Sequence, residues 1–271
     1  MREELSMRED LPMREELPMR EELPMNKIAK VTFIFWIMKI SATTLGETAG
    51  DLLSMTLGVG YAISSMILFG LFLVTLGAQL ISKRYIPVVY WTVILSTSIA
   101  GTTMSDYIDR TLGLGYAKGS MILVTILLAI FAYWYFSEKS LNINYIKTRK
   151  VEILYWIAIL FSNTLGTALG DFLADSSGLG YKGGAALIGS LLGIIIVAFY
   201  FTKISRVFLF WVAFVLTRPF GATFGDLLTK PHEKGGLDLG TMGSSLVLVS
   251  ILAVFIIYST FKNDKIIAQL D

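Results

Sequence analysis

The sequence predicts an all-α integral membrane protein with about eight transmembrane helices, arranged as four two-helix repeats in two duplicated halves. Three observations predict this fold class. Of the 271 residues, 54% are hydrophobic, a share above that of soluble globular domains. The apolar residues gather in runs of about 20, the length with which a helix crosses a bilayer. One pattern of glycine and aspartate recurs four times along the chain.

The chain begins with a charged six-residue repeat in four copies, MREELS, MREDLP, MREELP and MREELP. Proline ends three of these copies and would interrupt a helix there, and the low-complexity composition is typical of disorder. The stretch also lacks the basic and apolar regions of a signal peptide. Residues 1–25 are therefore predicted to be a disordered tail that insertion and activity do not require, with a partner-binding arm as the alternative.

Eight candidate spans follow from Val31 onward. Helices in a membrane satisfy their own backbone hydrogen bonds, so we expect these spans to form a helical bundle. The odd-numbered spans are less uniformly apolar than the even-numbered spans, because the repeated glycine and aspartate pattern falls in them. The spans cover residues 31–53, 61–82, 87–108, 117–136, 151–173, 183–202, 206–228 and 241–261.

The membrane part divides into two halves. The first half, 26–136, holds repeats one and two, and the second half, 151–262, holds repeats three and four. A polar linker, 137–150, joins the halves, and residues 263–271 form a tail. Both of these polar segments are predicted to be cytoplasmic.

Self-comparison aligns one segment from each repeat. TLGETAGDLLSMTLGVGY at 44–61 aligns with IAGTTMSDYIDRTLGLGY at 99–116 and TLGTALGDFLADSSGLGY at 164–181, whereas PFGATFGDLLTKPHEKGGLDLG at 219–240 is longer after its aspartate. The first and third aspartates lie 120 residues apart, as do the second and fourth, which indicates two successive duplications. The repeats should run parallel, related by axes near the membrane normal. The aligned aspartates are Asp51, Asp106, Asp171 and Asp226.

A pair of small residues four positions apart precedes each aspartate. Such pairs let helix backbones approach closely in lipid, where packing drives association. These eight residues are therefore predicted to mediate helix packing. The pairs are Gly46 and Gly50, Gly101 and Ser105, Gly166 and Gly170, and Gly221 and Gly225.

Acidic side chains in or near hydrocarbon are costly and normally face a bundle interior or an aqueous cavity. Any one aspartate could instead cap the next segment or pair with a loop lysine, but four matched copies favour a shared polar site. The first repeat adds a further acid one turn before its aspartate. The predicted substrate- or ion-binding residues are Glu47, Asp51, Asp106, Asp171 and Asp226.

A polar stripe accompanies the acids. In repeat one, Lys39, Thr43, Glu47 and Asp51 recur every four residues and so lie along one helix face. The basic residues of this stripe are unevenly distributed, with Lys39 only in repeat one and Arg218 only in repeat four. A symmetric scaffold with an asymmetric charged lining favours a binding or permeation site, in which Lys39 and Arg218 are candidate counter-ions of the acids.

The four Gly-x-x-x-Gly/Ser-Asp units, followed by Gly-x-Gly-Tyr in three copies, resemble a family of small bacterial multi-pass membrane proteins known by a repeat of unknown function. That repeat is present in about four copies, and the resemblance covers residues 31–261. It implies a multi-pass fold in a bacterial membrane and supplies no activity. Repeat two departs from the pattern with Ser105, and repeat four lacks Gly-x-Gly-Tyr.

The distribution of basic residues predicts the orientation. From Lys27 onward, the side with the N terminus and the even-numbered loops carries twelve lysines and arginines, against five on the other side. By the positive-inside rule, both termini should be cytoplasmic, and the location should be a cell membrane, in bacteria the inner membrane. The five basic residues on the outer side are Arg110, Lys118, Lys182, Lys230 and Lys234.

A secondary transporter of a cation or small solute is the favoured function. Buried acids can bind cations or carry protons, and the chain has no GxxxxGK loop for a nucleotide-driven motor. Oxygen ligands favour hard cations or protons over soft metals, and the metal, if any, stays open. The absence of cysteine excludes thiol chemistry and disulfides, and the single histidine, His232, excludes a histidine-rich metal site.

The alternatives are an ion channel, an intramembrane enzyme and an accessory membrane protein. TLGVGY and TLGLGY resemble a potassium-filter sequence, but a pitch of 55 residues with two spans leaves only about 15 for a pore helix and filter. Gly-x-Gly-Tyr is instead predicted to be a tight turn. Four similar aspartate motifs differ from the single dissimilar pair of an intramembrane aspartyl protease, so no enzyme activity is predicted.

The expected partners are the lipid bilayer and a cation, proton or small-molecule substrate. No nucleic acid and no cofactor are expected, and a homo-oligomer stays open.

Overall fold

The computed structural model describes residues 27–146 and 148–267, which form eight α-helices and no β-strand. The prediction of an all-α protein is therefore confirmed. The predicted tail, 1–25, lies outside the described residues, as do the last four residues of the predicted tail 263–271. The helices are α1 (Phe33–Asp51), α2 (Tyr61–Ile81), α3 (Pro87–Asp106), α4 (Tyr116–Glu138), α5 (Arg149–Asp171), α6 (Gly180–Phe201), α7 (Arg206–Thr229) and α8 (Thr241–Ile267).

Six of these helices are long and apolar enough to cross a membrane, namely α2, α4, α5, α6, α7 and α8. The other two, α1 and α3, are also about 20 residues long, but serine, threonine and acidic residues lower their hydropathy. The candidate membrane helices agree with a membrane protein. A count of eight crossings stays a prediction.

The odd-numbered helices form an inner ring. Each packs against the next in the order α1, α3, α5, α7, and α7 closes the ring by packing against α1. Each even-numbered helix packs outside this ring, with α2 on α3, α4 on α5, α6 on α7, and α8 on α1. One motif, repeated four times, thus forms two concentric layers around a single axis.

Burial distinguishes the two layers. The buried share of the most apolar stretch is 72% in α5 and 56% in α7, but between 17% and 22% in the four even-numbered helices. The even-numbered helices present apolar side chains outward, for example Ile67, Leu128, Val197 and Val247, one on each helix and each more than half exposed. An apolar outer surface of this extent fits contact with lipid rather than water.

The small residues set the register between neighbouring inner helices. A Cβ at Gly46 would lie 2.5 Å from the Cβ of Ser98, and one turn later a Cβ at Gly50 would lie 2.9 Å from the Cβ of Thr102. One turn along α1, from Gly46 to Gly50, the contact moves one turn along α3, from Ser98 to Thr102. The two helices therefore run in the same direction. The same contact recurs around the ring, from Gly101 to Asn163, Gly166 to Arg218, Gly170 to Ala222, Gly221 to Thr43, and Gly225 to Glu47.

Replacing Gly50 by leucine is expected to lower the yield of folded protein, because α1 and α3 cannot keep their spacing around a larger side chain. Overpacking of this kind costs about 1–3 kcal/mol. Size-exclusion chromatography of detergent-solubilised protein measures the yield. Gly70→Leu in α2 is the matched control, since a Cβ there meets no atom within 4 Å. Equal yields for the two variants would contradict the close-packing role.

A single π-helical turn follows the aspartate in repeats one to three. These turns are Leu52–Thr56, Tyr107–Thr111 and Phe172–Ser176. A π turn marks a local widening of the helix and is frequent at functional sites. Repeat four lacks it: α7 continues to Thr229, and residues 230–240 form a longer loop that folds back onto the end of the helix.

The Gly-x-Gly-Tyr units connect each π turn to the next outer helix. In repeat one, Gly58 and Gly60 have φ of 68° and 80°, a region that side chains with a Cβ rarely adopt. Tyr61 is then the first residue of α2. The prediction that this unit is a tight turn is confirmed.

Both ends of the described chain lie at the end of the bundle opposite the aspartates. Lys27 Nζ lies 2.9 Å from Glu152 Oε2, near the start of α5, and also donates to the carbonyl of Leu80 near the end of α2. From α8, the Asn263 side chain donates to the carbonyl of Tyr85. The aspartates end the inner helices at the other face, so the bundle has two chemically different ends.

Candidate functional site

The aspartates that end α1 and α7 form one ion-paired group. Lys230 Nζ lies 2.7 Å from Asp51 Oδ2 and 3.1 Å from Asp226 Oδ1. Both aspartates are buried, with 4% exposure each. The lysine follows the end of α7, so its side chain turns back over its own helix and reaches α1.

The aspartates that end α3 and α5 form the second group. Arg110 Nε lies 2.9 Å from Asp106 Oδ1, and its Nη2 lies 3.1 Å from Asp171 Oδ2. The guanidinium also donates to the hydroxyl of Tyr61 at 3.2 Å and lies 5.6 Å from the ring centre of Tyr116. Arg110 therefore contacts side chains of four helices, α2, α3, α4 and α5, and itself lies on the π turn that follows α3.

Arg110 and Lys230 occupy equivalent places in repeats two and four. Each lies four residues after its aspartate, reaches back to it, and bridges forward to the aspartate of the next repeat in the ring. Repeats one and three carry Met55 and Asp175 at this place. The sequence prediction included neither cation in the site. The four-residue spacing from an aspartate, which makes side chains neighbours on a helix, is the signal that could have identified both.

The two cations also cover the acids from outside. The side chain of Lys230 is 17% exposed and that of Arg110 is 30% exposed, whereas the aspartates beneath them are buried. Burial by itself would lower the pKa of the Lys230 ammonium, but the carboxylates of Asp226 and Asp51 raise it above its ordinary value. The ammonium therefore remains charged at neutral pH.

Glu47 and Arg218 form a third ion pair one turn deeper along the axis. Both guanidinium Nη atoms lie 3.1 Å from Glu47 Oε2. The Nη2 atom also donates to Thr167 Oγ1 at 2.6 Å and to Thr102 Oγ1. One fully buried guanidinium on α7 thus contacts α1, α3 and α5 together, and it fills the centre of the ring.

The two candidate counter-ions differ in their contacts. Arg218 pairs with Glu47 rather than with an aspartate. Lys39 forms no ion pair among the described residues: its Nζ lies 4.0 Å from the ring centre of Phe214 and 3.4 Å from Asn163 Oδ1. The expectation for Lys39 is corrected for a geometric reason. It lies eight residues before Glu47, about 12 Å along a helix, in an apolar layer.

Aromatic residues fill the axis at the end opposite the aspartates. The hydroxyls of Tyr90 and Tyr155 lie 2.7 Å apart, and both side chains are fully buried. Trp156 packs against Tyr90 with ring centres 5.6 Å apart, and Trp211 packs against Tyr155 at 6.1 Å. Between this layer and Arg218 lie further fully buried side chains, including Lys39, Ile94 and Ile159. The axis is therefore packed rather than open.

A family model described as Repeat of Unknown Function (DUF347) matches four segments of the chain, 34–85, 89–140, 154–205 and 209–264. The chain belongs to this repeat family. The predicted resemblance to a family defined by a repeat of unknown function, present in four copies, is therefore confirmed. No curated protein and no solved structure matches the chain.

Each DUF347 repeat corresponds to one inner helix and the outer helix that follows it. The first match, 34–85, contains all but one residue of α1 and the whole of α2, and each of the other three matches contains most of the later inner helix and most or all of the outer helix that follows it. The four repeats supply one aspartate each, and Asp51, Asp106, Asp171 and Asp226 together form the aspartate layer. Repeat one also supplies Glu47, so the symmetry of the scaffold is broken in its lining.

The DUF347 repeats bring the five predicted acids into two groups that differ in composition. Near Lys230, oxygen atoms of Glu47, Asp51 and Asp226 all lie within 4.8 Å of one another, a spacing that a metal ion could bridge. Near Arg110 there are two aspartates, and Thr167 occupies the place that corresponds to Glu47. Carboxylate oxygens suit protons or hard cations such as Mg²⁺, Ca²⁺ and Mn²⁺.

Proposed function

We propose that the protein is a multi-pass membrane transporter of a cation or proton. Its binding site is the carboxylate layer at the end of the inner ring, that is, the four aspartates of the aspartate layer together with Glu47. The charge balance of this layer carries the proposal. Five buried carboxylates are contacted by three cations, Arg110, Arg218 and Lys230. An uncompensated buried charge is costly, so two negative charges in surplus favour uptake of protons or of a cation from outside.

The arrangement of the two aspartate groups supports the proposed duplication into halves. Arg110 and Lys230 lie 120 residues apart, as do Asp106 and Asp226. Each half then provides one cation and two aspartates, and the ring closes only when the halves associate. In this proposal all eight helices cross the membrane, and rocking of one half against the other gives access to the site.

The packed axis favours a transporter over a channel. A channel needs a continuous path for ions, whereas Arg218 and the aromatic layer occupy the centre of the ring. A small organic cation is compatible with the same acids, because an ammonium already lies between two of them. An accessory membrane protein without transport is the alternative, and flux measurements distinguish it from a transporter.

Flux measurements on purified protein in liposomes test the proposal. Proton movement is followed with a pH-sensitive dye while Na⁺, K⁺, Mg²⁺, Ca²⁺ and Mn²⁺ are offered one at a time. Uptake of one cation, or cation-dependent proton release, that exceeds the flux of empty liposomes is the expected result. Flux equal to that of empty liposomes across the whole panel would leave the accessory function as the better proposal.

A reporter fused after Leu270 is expected to show that the C terminus is cytoplasmic, and a reporter at the N terminus should give the same result. The reason is the excess of basic residues at that end of the bundle. An enzyme active only in the cytoplasm and a second enzyme active only outside it provide complementary readouts. Activity of the external reporter would reverse the orientation and place the aspartate layer on the inner side.

A further inference from the structure

The two aspartate groups, although equivalent in the repeats, differ in how firmly their cation is held. Arg110 contacts two carboxylates through two different nitrogen atoms, and a tyrosine hydroxyl and a tyrosine ring also contact it. A planar guanidinium with several donors is well suited to such a fixed clamp. Lys230 reaches its two aspartates with one ammonium at the end of a flexible chain. Rotation about the single bonds of this chain withdraws the ammonium from both aspartates, whereas Arg110 would also have to leave its tyrosine contacts.

The backbone around the two cations differs in the same direction. Arg110 lies within the π turn Tyr107–Thr111, directly continuous with α3. Lys230 is the first residue after α7, at the start of the 230–240 loop, with an extended ψ of 152°. A change in side-chain rotamer at Lys230 would therefore move the ammonium outward while the helix end stays in place.

The group around Lys230 also has a third carboxylate. Glu47 contributes an oxygen within 4.8 Å of ligand atoms of Asp51 and Asp226. With Lys230 and Arg218 in place, these three carboxylates keep one negative charge in surplus. If a divalent cation replaced the ammonium, the same group would be neutral. Charge neutrality in a buried site favours a divalent ion over a monovalent one.

We propose that Lys230 is an internal cation that a divalent metal ion displaces, and that Glu47, Asp51 and Asp226 bind this ion after the ammonium leaves. The inference rests on the proposed function, because it assigns the cation site to one of the two aspartate groups. The ammonium already bound there is the observation that distinguishes this group from a mere cluster of acids. Arg110 and its two aspartates form the fixed group, and Lys230 and its three acids form the group in which the cation can be exchanged.

Chemical labelling of the full chain in detergent tests displacement directly. Lys230 is acetylated with a limiting reagent at increasing Mg²⁺, and the modified peptide is quantified by mass spectrometry. Lys234, exposed in the same loop, is the internal reference. The labelling rate of Lys230 relative to Lys234 should rise about tenfold as Mg²⁺ saturates its site. The reason is that the rate follows the fraction of chains in which Mg²⁺ has displaced the Lys230 ammonium from Asp51 and Asp226. An unchanged ratio would overturn the proposal.

Metal binding by substituted chains gives the second measurement. Free Mn²⁺ is counted by electron paramagnetic resonance in the presence of the unaltered chain, Lys230→Gln and Arg110→Gln. Lys230→Gln should bind one Mn²⁺ about tenfold more tightly, since the competitor is removed. Arg110→Gln is the matched control, and its affinity should change much less. An equal gain in both variants would indicate a general charge effect and contradict displacement.

The two proposals fail in distinguishable ways. If liposomes show proton or monovalent cation flux but none of the three chains binds Mn²⁺, the transporter proposal stands and the divalent site at Lys230 falls. If Mn²⁺ binds and frees Lys230 but no flux is seen with any cation, the site stands as a metal-binding site and the transporter proposal falls.

Discussion

Replacing Asp51 by asparagine is expected to abolish cation transport while the protein still inserts and accumulates. Asparagine keeps the shape of the side chain and part of its hydrogen bonding, but it removes one of the three carboxylates near Lys230. Loss of one partner of a buried charge contact costs roughly 3 kcal/mol. Transport at limiting cation should therefore fall on the order of 100-fold, measured as initial flux into liposomes at equal protein density.

Two further variants make the Asp51 result specific. Asp175→Asn removes an exposed carboxylate from the same face of the bundle and should leave the flux unchanged. Asp171→Asn removes an aspartate of the Arg110 group and is expected to abolish transport as well, because it leaves the clamp with one carboxylate. Normal flux in Asp51→Asn and Asp171→Asn, together with loss of yield in Gly50→Leu, would indicate that the repeated glycine and aspartate motif serves helix packing alone.

Replacing Arg218 by methionine is expected to destabilise the folded protein more than Gly50→Leu, Asp51→Asn or Asp171→Asn. The guanidinium contacts three other inner helices, and its removal leaves the carboxylate of Glu47 buried without its cation. Breaking a buried ion pair from one side costs about 3–5 kcal/mol. The folded fraction that survives heating in detergent, followed by fluorescence-detected size-exclusion chromatography, should fall strongly.

A second substitution should recover part of this stability. In Glu47→Gln with Arg218→Met, the unpaired charge is gone, so the loss should be smaller than in Arg218→Met alone. Arg84→Met, an exposed arginine between α2 and α3, is the control for the loss of a basic residue. Equal stability of Arg218→Met and the unaltered chain would mean that the Glu47 contact does not stabilise the ring.

The repeats and their helices follow from the sequence because the signals that define them are local. Apolar runs of about 20 residues predict helices, and the aligned aspartates fix the repeat pitch. The helix packing pairs were also readable, because residues four apart share a face of a helix. The aspartates were expected to share a site for the same reason, since the pattern places each one at the same level of its helix.

The partners of these side chains were not readable from the sequence. Lys230 contacts Asp51 across 179 residues, and Arg218 contacts Glu47 across 171 residues. Both contacts exist because α7 packs against α1 and closes the ring. A repeat pattern does not state whether its first and last copies meet.

The contacts of Lys39 were likewise not readable from the sequence. Its four-residue spacing from the acids placed it on their helix face, which made it a candidate counter-ion. Spacing along one helix fixes direction around its axis but not which groups a neighbouring helix brings to the same level, and here α7 brings Phe214. The sequence by itself therefore determined the helices, the repeats and the facing of the acids. Only the closed ring of packed helices decided which cation neutralises which carboxylate, because charge pairing depends on distances of a few ångströms between separate helices.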